Sequence, residues 1–259
     1  GYTTAYGFNT VHGRSLPIAQ GVKLANPELL VVVAGGDGDG FSIGGGHVAH
    51  AVRRNIDLTY LVMDNQVYGL TKGQFSATSD KGSKSKKGVE NTESGIDLVA
   101  LALQLGATYV GRSFSGDKEQ LVPLIKAAIA HQGAAFIDVV SPCVTFNNHA
   151  GSTKSYDYVR EHNDAVSRID FITSKSEITT AYAPGEVVEV QQHDGSTLRL
   201  RKLHQDYDPT DRLAAMTYMH KQQARGEIVT GLLYVDPLAT DLHTALNTSD
   251  NALNTLNAA

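Results

Sequence analysis

The sequence predicts an α/β fold built on a doubly wound, mostly parallel sheet. Three observations carry that reading. Short apolar, β-branched runs recur through the first half of the chain, as at residues 29–34 (LLVVVA). Stretches of helical periodicity separate them, and glycines close the runs where the chain must turn. Strands alternating with helices connect through right-handed crossovers, which sets successive strands parallel in one sheet.

The elements follow in order. Residues 29–34 end in glycines and read as a strand buried on both faces. A helix is expected over 45–54 and a second strand at 58–63 (LTYLVM). Residues 95–106 carry helical spacing stopped by glycine, 108–111 suit a short strand, and 118–131 an amphipathic helix. Residues 135–140 (AFIDVV) give another buried strand. Between 73 and 91 the composition turns to Ser, Thr, Lys and Gly, with Lys81, Lys84, Lys86 and Lys87 close together. Ordered loops of this length tend to be functional, and this one is expected to form a lid with mobile lysines. After Cys143 the periodicity weakens. Residues 186–200 suggest a β-hairpin turning at Asp194-Gly195, and 209–225 a final helix. The organisation expected is an α/β domain over 1–143 and a C-terminal extension over 144–259.

Composition narrows the function. Of 259 residues, 41% are hydrophobic and 19% charged, which suits a globular protein. No apolar run approaches the ~18–20 residues of a membrane-spanning helix. The net charge of −5 argues against nucleic acid as a partner. Cys143 is the only cysteine, so neither a disulfide framework nor a metal cluster can be built from this chain's cysteines alone. The chain opens Gly1-Tyr2-Thr3-Thr4 without Met and reaches mid-domain sequence by His12-Gly13-Arg14. A native N-terminal segment is therefore expected upstream.

Residues 35–46 (GGDGDGFSIGGG) directly follow a predicted strand. Ligands of open parallel sheets bind outside the carboxyl ends of strands. A dinucleotide fingerprint fails, because Ile43 stands where the last glycine after Gly38 and Gly40 should be. A phosphate loop lacks its lysine, and an EF-hand lacks both the ligand at Phe41 and the later glutamate. What remains is Asp37 between two glycines, followed 28 positions later by Asn65 at the end of the next strand. Two oxygen ligands on adjacent strand ends suit an octahedral cation such as Mg²⁺ that also holds diphosphate oxygens. The plainer alternative is a glycine-rich turn with an unrelated asparagine.

Gly36-Asp37-Gly38 with Asn65 resembles the thiamine diphosphate signature. With His12-Gly13-Arg14, Arg53-Arg54-Asn55, Tyr68-Gly69-Leu70-Thr71-Lys72-Gly73-Gln74 and Ser141-Pro142-Cys143, the chain resembles the β subunit of 2-oxoacid:ferredoxin oxidoreductases. The likeness extends to Thr230-Gly231-Leu232-Leu233-Tyr234. It implies a sheet of the thiamine diphosphate-binding type. By this resemblance Asp37, Asn65 and the Val67 carbonyl match Mg²⁺ ligands, and His12, Gly38, Asp39, Gly69 and Leu70 match cofactor contacts. Cys143 matches one of four cysteines around a [4Fe–4S] cluster, the other three lying outside this chain. The activity implied is oxidative decarboxylation of a 2-oxoacid, with electrons passing to ferredoxin and the acyl group to coenzyme A, in the cytoplasm. The glutamate that activates the cofactor would come from a partner α subunit, so this chain alone would be inactive. Lys72 stands where pyruvate-type relatives commonly have glycine. A cation there, beside Leu70, would pair with a second substrate carboxylate and favour 2-oxoglutarate. The alternatives are pyruvate or broad specificity, another thiamine diphosphate enzyme, and a truncated, non-catalytic subunit.

Overall fold

The computed structural model describes residues 3–169, 171, 181–183, 186–191, 197–201 and 207–246. Helix α1 (Ser15–Ala25) leads to strand β1 (Val32–Gly36), a short π-helical turn (Gly38–Ile43) and α2 (Gly45–Arg54). Strand β2 (Leu58–Asp64) follows, then the two-residue strands β3 (Val67–Tyr68) and β4 (Gln74–Phe75). The core continues with α3 (Leu98–Gln104), β5 (Tyr109–Phe114), α4 (Lys118–Ala130) and β6 (Ala134–Val140). Beyond it lie α5 (Tyr156–His162), β7 (Asn163–Ala165), β8 (Val187–Gln191), β9 (Thr197–Arg201), α6 (Arg212–Gln223), β10 (Ile228–Val235) and α7 (Leu242–Leu246).

The main sheet has the order β1-β2-β6-β5-β10-β7 among the described residues. Its pairs are parallel except β5 with β10, which run antiparallel. Alternation along β6 shows why both faces are covered. Phe136 joins the cluster of Val48, Val52, Leu98 and Leu103 from α2 and α3, whereas Ile137 packs with Leu124 and Ala128 of α4 on the other side. All seven residues of β6 are buried, as a strand sandwiched between helices requires. The mostly parallel α/β architecture is the one the sequence predicts.

Three details differ from expectation. β1 is the edge strand, and its Val32 is 43% exposed, so it is not buried on both faces. An apolar run signals burial without saying which neighbour supplies it. β5 runs on to Phe114 rather than ending at 111, because β6 and β10 flank it on both sides. Strand β10, which the periodicity did not predict, enters the sheet between β5 and β7. The hairpin near 186–200 is present as β8 paired antiparallel with β9, while its turn at Asp194-Gly195 lies outside the described residues. No helix among the described residues is long and apolar enough to cross a membrane.

Candidate functional site

The parallel register pairs Gly36 of β1 with Met63 of β2. Asp37 and Asn65 therefore leave neighbouring strands at the same, carboxyl edge of the sheet. After Asp37 the chain enters the π-helical turn, and at Gln66 it takes φ +67, a left-handed conformation rare outside glycine. That turn swings the Gln66 N–H back onto Asp37, 3.1 Å from Oδ2. Gly38 has to be glycine, since a Cβ there would stand 2.7 Å from the Tyr68 ring. The Tyr68 hydroxyl donates to the Gly38 carbonyl at 3.1 Å, tying the two loops at this edge together.

Asp37 is fully buried. Its Oδ2 accepts from the Gln66 N–H, from Thr78 Oγ1 at 2.5 Å and from Ser76 Oγ. Among the described residues its Oδ1 has no hydrogen-bond partner. Burial, with the neighbouring Asp64 carboxylate, pushes Asp37 up to about 6. A carboxylate held on one oxygen and left open on the other suits a hard cation, which would also offset the desolvation of the charge. Asn65 Oδ1 accepts from the Val67 N–H at 3.1 Å, and an amide oxygen retains a second lone pair for a ligand. The Asn147 amide donates to the Asn65 carbonyl at 3.0 Å. Val67, half-buried, opens β3 beside them. The residues fit Mg²⁺ as a mixed set of carboxylate, amide and main-chain oxygens. Among the described residues no group of three His, Cys, Asp or Glu side chains could hold a metal by itself.

The remaining site candidates gather around this edge in two sets. Asp39 ties the first set together, accepting from the Gly13 N–H at 2.6 Å and from Ser15 Oγ at 3.3 Å. His12 Nδ1 is 3.0 Å from the same carboxylate, and its ring lies 5.6 Å from that of Tyr68. The second set is the hairpin of β3 and β4, whose tip carries Gly69, fully exposed Leu70 and exposed Lys72. Lys72 holds φ +81 and makes no side-chain hydrogen bond or ion pair among the described residues. A lysine in a left-handed conformation is the kind of local strain that accumulates at functional positions. Cys143 lies behind the hairpin, its Sγ 3.6 Å from where a Cβ on Gly69 would be. One thiolate does not make a four-iron site, which needs three more ligands.

Sequence reading missed the floor of the site. Ser76, Thr78 and Ser79 fall in the polar stretch expected to be a lid, yet all are buried. Gln66 Nε2 donates to the Thr78 carbonyl at 3.1 Å and to Asp80 at 2.8 Å, and Asp80 accepts from Thr153. This half of the loop is packed into the site, whereas Lys81, Lys84, Lys86 and Lys87 further on are exposed together with Val89 and Glu90. Asp64 Oδ1 lies 2.8 Å from Thr78 Oγ1, and its Oδ2 pairs with Lys154 at 2.7 Å. Arg112 pairs with Asp138 at 2.7 Å and Asp97 at 2.8 Å. A cavity of about 320 Å³ opens beside this network, lined by Asp64, Asp97, Arg112 and Lys154 among others. No periodicity marks these polar residues as buried. Only the Ser/Thr-rich composition beside a metal-ligand motif could have hinted at it.

Residues 1–139, just over half the chain, match the thiamine pyrophosphate enzyme family, C-terminal TPP-binding domain. The β subunit of 2-oxoacid:ferredoxin oxidoreductase 2 of Aeropyrum pernix is 48% identical, over 57% of this chain and 48% of that protein. The 2-oxoglutarate synthase subunit KorB of Methanocaldococcus jannaschii is 37% identical, over 74% of this chain and 73% of that protein. The solved 2-oxoglutarate:ferredoxin oxidoreductase of Magnetococcus marinus, with 2-oxoglutarate, coenzyme A and succinyl-CoA bound, superposes with a TM-score of 0.70 at 34% identity. That match covers 91% of this chain and 66% of the solved one. The chain spans about half the length of several of the curated relatives it matches.

Proposed function

The chain belongs to the β-subunit family of 2-oxoacid:ferredoxin oxidoreductases and carries its thiamine pyrophosphate-binding domain, and from that premise we propose that it serves the oxidative decarboxylation of 2-oxoglutarate to succinyl-coenzyme A. The observation that carries the reading is a fully buried Asp37 whose Oδ1 has no hydrogen-bond partner among the described residues, at the edge of the sheet that also carries the hairpin with exposed Lys72. Bound thiamine diphosphate would supply a nucleophilic carbon that adds to the 2-oxo group and accepts the electrons left when CO₂ departs. Asp37, Asn65 and the Val67 carbonyl would hold Mg²⁺ against the diphosphate. His12, Gly38, Asp39, Gly69 and Leu70 would line the cofactor, with Leu70 and Lys72 toward the substrate.

Lys72 would form a charge-assisted pair with the distal carboxylate of 2-oxoglutarate, which pyruvate lacks. The relatives named for 2-oxoglutarate and the Magnetococcus marinus structure support that choice of substrate. Cys143 would contribute one thiolate to a [4Fe–4S] cluster passing electrons to ferredoxin, the other ligands coming from outside these 259 residues. A partner α subunit would complete the active site, with residues 144–259 packing on both the cofactor domain and that partner. The test compares kcat/KM for 2-oxoglutarate and pyruvate in native and Lys72→Gly complexes. Losing one charge-assisted contact lowers the 2-oxoglutarate value by roughly ten- to a hundredfold and leaves pyruvate unchanged. An equal fall for both substrates refutes the role of Lys72 in specificity.

A further inference from the structure

The two oxygens of the Asp37 carboxylate are chemically equivalent, yet the fold treats them differently. Among the described residues three hydrogen bonds converge on Oδ2 and none is made to Oδ1, although both atoms are buried. One donor is a main-chain N–H fixed by the turn at Gln66. The other two are the hydroxyls of Ser76 and Thr78, both buried and both delivered by the segment that follows β4. We infer that Ser76 and Thr78 are positioning residues for the cation, clamping Oδ2 so that Oδ1 stays turned toward it. This inference rests on the reading of Asp37 as a metal ligand.

Two further features support the clamp. Thr78 Oγ1 carries a single proton and lies within hydrogen-bond distance of both Asp37 and Asp64. The Lys154 ammonium satisfies Asp64 from its other side, 2.7 Å away, which leaves the Thr78 proton for Asp37. Ser79 Oγ donates to the Gln66 carbonyl, and Gln66 Nε2 donates to the Thr78 carbonyl. The hydroxyl clamp and the main-chain donor are thus fastened to each other. Without the two hydroxyls only the Gln66 N–H would hold Oδ2, and rotation of the carboxylate about its Cβ–Cγ bond would be less restrained. Partners of this kind set ligand geometry without touching the metal.

The experiment measures Mn²⁺ binding to the full chain by electron paramagnetic resonance, with thiamine diphosphate present, alongside metal-free melting temperatures. Four variants are compared with the native chain: Asp37→Asn, Thr78→Val, Thr78→Ser and Ser76→Ala. The clamp predicts that Thr78→Val weakens Mn²⁺ roughly ten- to a hundredfold, that Ser76→Ala weakens it in the same direction, and that Thr78→Ser stays close to native. Rescue by serine separates a positioning hydroxyl from a merely structural side chain. If Thr78→Val does not fold, Ser76→Ala carries the test. Loss of binding in Asp37→Asn together with native affinity in Ser76→Ala and Thr78→Val overturns the clamp while leaving Asp37 as the ligand. Native affinity in Asp37→Asn removes Asp37 as the ligand and the clamp with it.

Discussion

Gly40 shows how closely a single atom is accommodated at the residue scale. It lies in the π-helical turn directly over the Tyr60 hydroxyl, which a Cβ on residue 40 would overlap. Tyr60 is itself buried, and among the described residues its hydroxyl has no hydrogen-bond partner. Burial and the nearby Asp39 and Asp37 carboxylates push its phenol well above the usual range, so it stays neutral. Gly40→Ala should therefore destabilise the fold by about 1–3 kcal/mol through overpacking. Adding Tyr60→Phe removes the oxygen in the way and should restore most of that loss, as read by urea denaturation. Strictly additive effects of the two substitutions would show that the contact is not the cause. The glycine-aspartate text around Gly40 was legible in the sequence because it departs so far from ordinary composition. Ser76 and Thr78, which hold the same carboxylate, were not, because hydroxyl residues in a polar loop resemble solvated ones.

Helix α3 illustrates the scale of elements, where charge and capping work together. Asp97 caps it, accepting from the N–H groups of Val99 at 3.0 Å and Ala100 at 3.1 Å, while Arg112 of β5 approaches at 2.8 Å. Burial alone would raise this carboxyl, but the Arg112 guanidinium, the Ala100 N–H and Lys154 together outweigh burial and hold it below the ordinary range. A carboxyl whose folded pKa is depressed stabilises the fold above its unfolded value of 3.8, and that contribution disappears as pH falls through the folded value. Asp97→Asn keeps the cap and removes the charge. It should lower stability by roughly 1.5 kcal/mol at pH 7, with the difference from the native chain shrinking below about pH 4. Denaturant titrations of both proteins across that range check the sign; a difference that grew in acid would contradict it. The helix was legible in the sequence over 95–106, whereas its start at Asp97 and the partner from β5 were not.

The molecule as a whole is joined by charges that cross it. Lys154 comes from the segment beyond Cys143, yet its ammonium reaches Asp64 at the end of β2. Asp64 is almost wholly buried, so removing its partner leaves an uncompensated charge in the interior. Lys154→Met should cost about 3–5 kcal/mol. Replacing both partners, as in Asp64→Asn with Lys154→Met, should recover much of that loss, since a buried pair contributes little net stability against a neutral substitute. Chemical denaturation of the two single variants and the double variant measures the coupling. No recovery in the double variant would mean that Lys154 acts through packing rather than charge. The same segment of chain supplies β7 and, after a long excursion, β10, so residues beyond 143 complete the main sheet.

The amino-acid sequence by itself determined the alternation of strands and helices, because periodicities of 2 and 3.6 are local properties that survive without knowledge of neighbours. It also placed Asp37 and Asn65 just past strand ends, since each stands within three residues of the end of an apolar run. Tertiary structure decided the strand order. β1 became an edge, and β10 lies antiparallel to β5 although more than a hundred residues separate them in the chain. It likewise decided which hydroxyls and which ammonium meet the buried carboxylates. Thr78 lies 41 residues from Asp37, and Lys154 pairs with an aspartate from the first half of the chain. Such pairings leave no periodic trace in sequence, because a polar side chain is buried by the geometry of its partners rather than by its own hydropathy.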